Sequence, residues 1–319
     1  MIIDFLLLAL GITILMLGAN WLVDGASSVA SRFGVTPLII GLTVVAFGTS
    51  LPELVVNIMA ALKGSSGLAI GNVLGSNVAN TLLIVGVAAL IKPIRVQSST
   101  VRVEIPLSLL AAIILLVLAN DSFIDGTASS AILRSDGIIL LILFVVFLCY
   151  TFSFNNNHFK SEEVNIKKHR TSITVLLITV GLGGLYGGGH LIVEAAISIA
   201  QTLGVSDTVI GLTILAIGTS LPELATTIVA AYKGQSDIAI GNVVGSNIFN
   251  ILMVFGITAS ISPMPFDPSD NIHLLVVIAS SLMLLIFALV GSCRCINRYE
   301  GGGFVLIYLL YLLYIAIWI

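Results

Sequence analysis

Apolar residues run along this chain in blocks of about 20, the length that carries a helix across a hydrocarbon core. Charges, prolines or glycine clusters separate the blocks. Ten can be marked, with cores at 3–23, 38–62, 68–91, 103–119, 131–152, 172–200, 208–231, 238–261, 272–292 and 303–319. The pattern predicts ten transmembrane helices and an all-α integral membrane protein. The first block has no charged leader and no small-residue cleavage site. It is therefore expected to be a retained span, not a signal peptide. Composition agrees, with a mean hydropathy of +1.14, 58% hydrophobic residues and only 9% charged ones. The lipid bilayer is the surrounding this implies.

Charge sets the orientation. With the amino terminus outside and the loops alternating, the inner loops hold Arg32, Lys92, Arg95, Arg102, Lys160, Lys167, Lys168, Arg170, Lys233, Arg294 and Arg298. The outer loops hold only Lys63 and Arg134, and carry Asp121, Asp125, Asp136, Asp207, Asp267 and Asp270. Such a bias is the positive-inside signature, and it leaves both termini outside a cell membrane. The net charge of −3 carries no sign of a nucleic-acid partner, and no obligate protein partner is evident. Cys149, Cys293 and Cys295 form no framework. The last two sit in a CRC tripeptide in an expected cytoplasmic loop, where thiols stay reduced.

The blocks also repeat. GLTVVAFGTSLPEL at 41–54 returns as GLTILAIGTSLPEL at 211–224, and GNVLGSNVANTLLIVG at 71–86 returns as GNVVGSNIFNILMVFG at 241–256. The offset is a constant 170 residues, and about 30 of the 53 positions between 34 and 86 are identical. Five spans in each half is an odd number, so the second copy enters the membrane with opposite polarity. Lys63 and Lys233 illustrate this, being matched positions that fall on opposite sides. The expected organisation is a five-helix repeat at 1–152, a polar cytoplasmic linker at 153–171 and an inverted five-helix repeat at 172–319.

Each copy places a glutamate, Glu53 or Glu223, inside an otherwise apolar span. An acidic residue at mid-helix costs about 2.5–3.5 kcal/mol even on a lenient insertion scale, and marks a functional site by default. No Lys or Arg lies in the four spans that carry these motifs to pair with either, so the partner is a proton or a bound cation. Thr49 and Ser50 lie within one turn of Glu53, as Thr219 and Ser220 do of Glu223. Pro52 and Pro222 lack an N–H and interrupt the helix, which is expected to free carbonyls around Ala46–Thr49 and in the matching stretch from Ala216. Ser76 with Asn80, and Ser246 with Asn250, stand one turn apart in the neighbouring spans. These are hard oxygen donors with no His or Cys among them. They suit Ca²⁺ or Na⁺, and Mg²⁺ less well because it keeps its water.

Other polar positions read more plainly. Asn72, Asn77, Asn242 and Asn247 read as helix–helix glue in preference to ligands. Asp24 and Glu194 match across the repeat near span ends, where a cavity-mouth role and simple helix-end solvation both fit. His190 reads as a hydrogen-bonded core residue, and Glu104 as a carboxylate favoured at a helix start.

GTSLPE followed by GNxxGSN, in both halves of a ten-span chain, resembles the cation/calcium exchanger (CaCA) family, with the nearer likeness to its prokaryotic sodium/calcium exchanger-like members. The resemblance covers the whole chain. It implies a mid-membrane ion site between spans two, three, seven and eight, with spans one and six sliding against that core. By the resemblance, Glu53 and Glu223 are the central ligands. Thr49, Ser50, Thr219 and Ser220 add hydroxyl or backbone oxygens, Ala46 and Ala216 carbonyls, and Ser76 and Ser246 sites nearer each face. The resemblance also implies exchange of several Na⁺, usually three, for one Ca²⁺. One position departs: family members carry Asp in span eight where this chain has Asn250, so both Asn80 and Asn250 are amides. That Asp is associated in the family with K⁺ co-transport.

The expected function is secondary antiport of Na⁺ inward against Ca²⁺ outward, with no cofactor, no enzymatic activity and no ATP, since no Walker-type phosphate loop is present. The alternatives are a Ca²⁺/H⁺ antiporter of the same fold, a passive cation channel and, more distantly, an intramembrane enzyme.

Overall fold

The computed structural model describes residues 2–124, 126, 129–153, 169–203, 216–290 and 294–318. The expected linker at 153–171, with Lys160, Lys167 and Lys168, falls almost wholly outside the described residues. So do Asp125, Asp207, Cys293 and the start of the seventh block.

The apolar blocks fold as helices. In chain order they are α1 (Ile2–Phe33), α2 (Pro37–Thr49), α3 (Leu51–Leu62), α4 (Ser66–Ile91), α5 (Thr100–Leu118), α6 (Arg134–Ser153), α7 (Thr171–Thr202), α8 (Ala216–Thr219), α9 (Leu221–Tyr232), α10 (Ser236–Ile261), α11 (Asn271–Val290) and α12 (Arg298–Trp318). Among the described residues, 8 helices are long and apolar enough to cross a membrane, or 9 with α2 and α3 counted as one bent span. Ten were expected. The seventh block contributes only α8 and α9 to the described residues, too short a stretch to count.

Local chemistry sets the breaks. Thr36 caps α2 by accepting the Ile39 N–H, and Pro37 opens the helix, where its missing N–H costs nothing. The chain breaks at Ser50 (φ −86°, ψ 6°) and restarts with Pro52 in the first turn of α3, the one part of a helix that tolerates proline. The bend is 44°. Ser220 repeats it (φ −87°, ψ 3°), with Pro222 in the first turn of α9. The freed carbonyls expected around Ala46–Thr49 are only partly borne out. The Ala46 carbonyl accepts the Ser50 N–H at 3.0 Å, because the chain turns gently enough to keep that bond, and the Thr49 hydroxyl oxygen lies 3.3 Å from it. In the second copy the Ser220 N–H turns instead to the Ile217 carbonyl, at 3.1 Å.

The helices α4 and α10 form the centre, α10 buried over its whole apolar window and α4 over most of it. Outer helices expose apolar side chains such as Ile113, Val145 and Leu309, as a lipid-facing surface requires. Short strands join the halves. β1 (Ile94–Arg95), which follows α4, pairs antiparallel with β4 (Cys295–Ile296); β3 (Met264–Pro265), which follows α10, pairs with β2 (Ala131–Ile132). Likewise α12 packs on α4, and α6 on α10. Each half thus lends the same kind of element to the other.

Glycines seat α1 against α7. A Cβ on Gly18 would lie 2.8 Å from the Gly181 carbonyl, and one on Gly188 2.8 Å from the Gly11 carbonyl. The contacts descend along α7 as they climb α1, so the helices run antiparallel with their backbones touching. Small residues permit such an approach.

Candidate cation site

The two glutamates meet at the centre. Glu53 lies in the first turn of α3 and Glu223 in the first turn of α9, so each carboxylate sits at the positive end of a helix dipole. Both are fully buried.

Serines link them to the facing helices. Ser50, at the break of the first half, donates to Glu223 Oε1 at 3.0 Å. Ser246 of α10 donates to the same oxygen at 3.3 Å. Ser76 of α4 donates to Glu53 Oε1 at 3.5 Å, and Ser220 donates to Ser76 at 3.3 Å. The threonines reach across as a matched pair: Thr49 donates to Asn242 Oδ1 at 3.1 Å, and Thr219 to Asn72 Oδ1 at 3.3 Å. Asn72 and Asn242 therefore bridge helices, in line with the glue reading. Thr49 also lies 3.5 Å from Ser246 Oγ.

Among the described residues, several buried side-chain atoms carry no hydrogen-bond partner: Glu53 Oε2, Glu223 Oε2, and both the amide oxygen and the amide nitrogen of Asn80 and of Asn250. Asn80 and Asn250 sit in π-helical segments, Ala79–Ile84 and Phe249–Val254, within α4 and α10. Such widened turns gather at functional sites. Buried polar atoms need partners, and a cluster of acceptors with two carboxylates fits a hard cation. Among the described residues no group of three or more His, Cys, Asp or Glu occurs. Two carboxylates with neutral oxygens suit an ion that is bound and released.

Of the expected residues, Glu53, Thr49, Ser50, Ser76, Glu223, Thr219, Ser220 and Ser246 are buried and take part in these hydrogen bonds, and Asn80 and Asn250 are buried in turns that pack against α9 and α3. Ala46 is buried beside Thr49, and Ala216 opens α8, where its backbone alone is described. His190 and Glu194 lie elsewhere and are exposed, 3.1 Å apart; His190 is thus no core residue. Glu104 is buried in α5, away from these contacts.

Three supporting residues escaped the sequence reading. Asn57 accepts from Asn72 at 2.6 Å and donates to the Ala69 carbonyl at 3.0 Å. Thr227 accepts from Asn242 at 3.0 Å, and Thr81 from Asn247 at 2.8 Å. Asn57 and Thr227 lie four residues after Glu53 and Glu223, on the same helix face, and that spacing was the available signal. Thr81 had none, since the matched position is Ile251.

Known proteins fit this arrangement. Residues 3–153 and 173–317 match the family model described as sodium/calcium exchanger protein. The chain is 39% identical over 315 residues to a putative antiporter, CaxA, of Alkalimonas amylolytica, covering 94% of this chain and 95% of that one. It is 33% identical over 343 residues to the sodium/calcium exchanger MaX1 of Methanosarcina acetivorans, covering 97% of each. The fold superposes on the sodium-calcium exchanger NCX_Mj, solved after soaking in Na⁺ and Ca²⁺, with a TM-score of 0.83, 33% identity and 98% of each chain covered. Two of these relatives are thus sodium/calcium exchangers by name and the third a putative antiporter. A multi-pass helical membrane protein with this match along almost its whole length belongs to the sodium/calcium exchanger family.

Proposed function

We propose that this chain is a Na⁺/Ca²⁺ antiporter of the cell membrane, drawing Na⁺ inward to drive Ca²⁺ outward by alternating access. The observation that carries the reading is the reciprocal seat of Glu53 and Glu223. Ser50 and Ser246, one from each half, hold Oε1 of Glu223; Ser76, which itself accepts from Ser220 of the other half, holds Oε1 of Glu53; and the second oxygen of each carboxylate has no hydrogen-bond partner among the described residues. Two carboxylates match the charge of one Ca²⁺. Thr49, Ser50, Ser76, Asn80, Thr219, Ser220, Ser246 and Asn250, with the carbonyls of Ala46 and Ala216, complete the oxygen set.

The chain has ten spans, as two inverted five-helix repeats at 1–152 and 172–319 joined by a cytoplasmic linker at 153–171, with both termini outside. The exchanged strand pairings β1–β4 and β2–β3, and the exchanged bonds Thr49–Asn242 and Thr219–Asn72, support this. Each is what a two-fold relation between halves, with its axis in the membrane plane, requires.

The test is ⁴⁵Ca²⁺ uptake into proteoliposomes with gradients of Na⁺, H⁺ and K⁺ imposed singly. Uptake driven by outward Na⁺ alone supports the reading. Uptake driven by a pH gradient and not by Na⁺ replaces it with Ca²⁺/H⁺ exchange, which the same pair of carboxylates could serve. Collapse of the gradient without counterflow would make it a pore.

A further inference from the structure

Outside the central site, the 170-residue offset relates two sets of opposite charges: Asp24 with Lys233, and Glu194 with Lys63. Asp24 on α1 matches Glu194 on α7. Lys233 at the end of α9 matches Lys63 at the end of α3. Only one set is closed. Lys233 Nζ lies 2.7 Å from Asp24 Oδ1 and donates to the Asn20 carbonyl at 3.1 Å. Beside them, Ser27 donates to Gln235 Oε1 at 2.6 Å.

At the matched place the contact is open. Glu194 is taken by His190 on its own helix, with the two side chains 62% and 59% exposed. His190 stands where the first half has Asn20. Lys63 is exposed and has no ion-pair partner among the described residues. Packing follows the charges: α1 lies along α9, while α7 has no comparable contact with α3 among the described residues. Nor are α1 and α7 free to respond separately. Their backbones touch at Gly11, Gly18, Gly181 and Gly188, so a displacement of one carries the other.

We propose that the two ion pairs are alternate latches on this α1–α7 body. Asp24–Lys233 holds the cytoplasmic end shut, and Glu194–Lys63 holds the outer end shut. A shift that closes one opens the other, so the cation site faces one side at a time. The described conformation is the outward-facing one. Both latches are ion pairs on water-reachable helix ends, each of small net worth. That suits a cycle in which neither face is a trap. The inference rests on the inverted ten-span reading above.

Two cysteine pairs test it in the full-length protein, with Cys149, Cys293 and Cys295 replaced by alanine. One is Asp24→Cys with Lys233→Cys, the other Lys63→Cys with Glu194→Cys, and a third protein carries all four. A short bifunctional thiol reagent is applied in proteoliposomes, and free thiols are counted by a maleimide mass tag. Either pair should cross-link, and either cross-link should stop Ca²⁺/Ca²⁺ exchange. In the four-cysteine protein, closure of one pair should leave the other pair's thiols free. Closure of both in one molecule overturns the latches, as does a 63–194 pair that never closes. Charge variants give a second reading. With Asp24→Asn, the 63–194 pair should close about two- to fivefold faster, the range of a half-exposed ion pair. Asp24→Lys with Lys233→Asp should restore the original rate. An unchanged rate with Asp24→Asn also overturns the proposal. Thiol counts need no ion gradient, so coupling to H⁺ in place of Na⁺ would leave this result standing. Labelling of Lys63 and Lys233 from one side would instead sink the inverted reading itself.

Discussion

At the scale of single residues, burial and charge decide what matters. Glu53 and Glu223 were legible because an acidic side chain in an apolar helix is too costly to keep without a compensating partner. Asn57, Thr81 and Thr227 were not, because a lone amide or hydroxyl in a transmembrane helix can always bond a neighbouring backbone. Nothing in the chain distinguishes that use from a contact across the site. Glu53→Gln and Glu223→Gln should each lower Ca²⁺ exchange by about 100-fold or more with expression intact. That factor corresponds to about 3 kcal/mol for breaking charge compensation in a buried site. Initial rates of ⁴⁵Ca²⁺ uptake check it, and near-normal exchange by a well-inserted Gln variant removes that residue from the site. Asn250 invites the opposite change. An amide oxygen ligates but its group binds no proton at working pH, so only the two glutamates titrate in the central site. As pH falls they should gain protons, lose charge and hold Ca²⁺ less well, and exchange should fall. Asn250→Asp adds a third carboxylate that protons can occupy. It should keep Na⁺/Ca²⁺ exchange while making the loss begin at higher pH. A profile of uptake against pH that is identical in both proteins would refute this.

At the scale of elements, block lengths and prolines carried most of the information. The ends of α4, α6 and α10 fall within a few residues of the expected cores, since apolar length alone fixes a span. The breaks at Ser50 and Ser220 followed from Pro52 and Pro222. The π-helical turns holding Asn80 and Asn250 did not, because an extra residue in a turn is selected by neighbouring helices and leaves no periodic trace. The glycine seam between α1 and α7 was also missed. Glycines are frequent in membrane helices, and only the structure separates those in contact from the rest. Gly188→Ala and Gly187→Ala make the distinction measurable. A Cβ at 188 would sit 2.5 Å from the Leu15 amide nitrogen, whereas one at 187 meets nothing within 4 Å. Gly188→Ala should destabilise the purified protein by about 1–3 kcal/mol, the usual cost of overpacking. Gly187→Ala should be neutral or slightly stabilising through helix propensity. Unfolding of both variants in detergent decides it, and equal effects would mean that the helices separate at no cost.

At the scale of the whole molecule, the proposed inverted halves should make the transport cycle symmetric, while unequal ion charges would make it electrically asymmetric. The symmetry has a topological consequence. Single cysteines at Lys63 and Lys233 should react with a membrane-impermeant maleimide from opposite sides, and reaction from the same side would contradict the inverted repeat. The asymmetry has a voltage consequence. In the proposed site, Glu53 and Glu223 when ionised would supply two negative charges, enough to neutralise one Ca²⁺. Three Na⁺ in the same site would leave one positive charge unbalanced. If three Na⁺ enter for each Ca²⁺ that leaves, one positive charge moves inward per cycle. That movement is worth about 2.3 kcal/mol for each 100 mV of inside-negative potential. In inside-negative proteoliposomes, Na⁺ entry and Ca²⁺ exit should therefore accelerate. Reversing the potential with a K⁺ gradient and valinomycin should slow them, with the Na⁺ and Ca²⁺ concentrations held fixed. Flux indifferent to potential would mean an electroneutral cycle, with two Na⁺ or two H⁺ balancing each Ca²⁺ on the same two carboxylates.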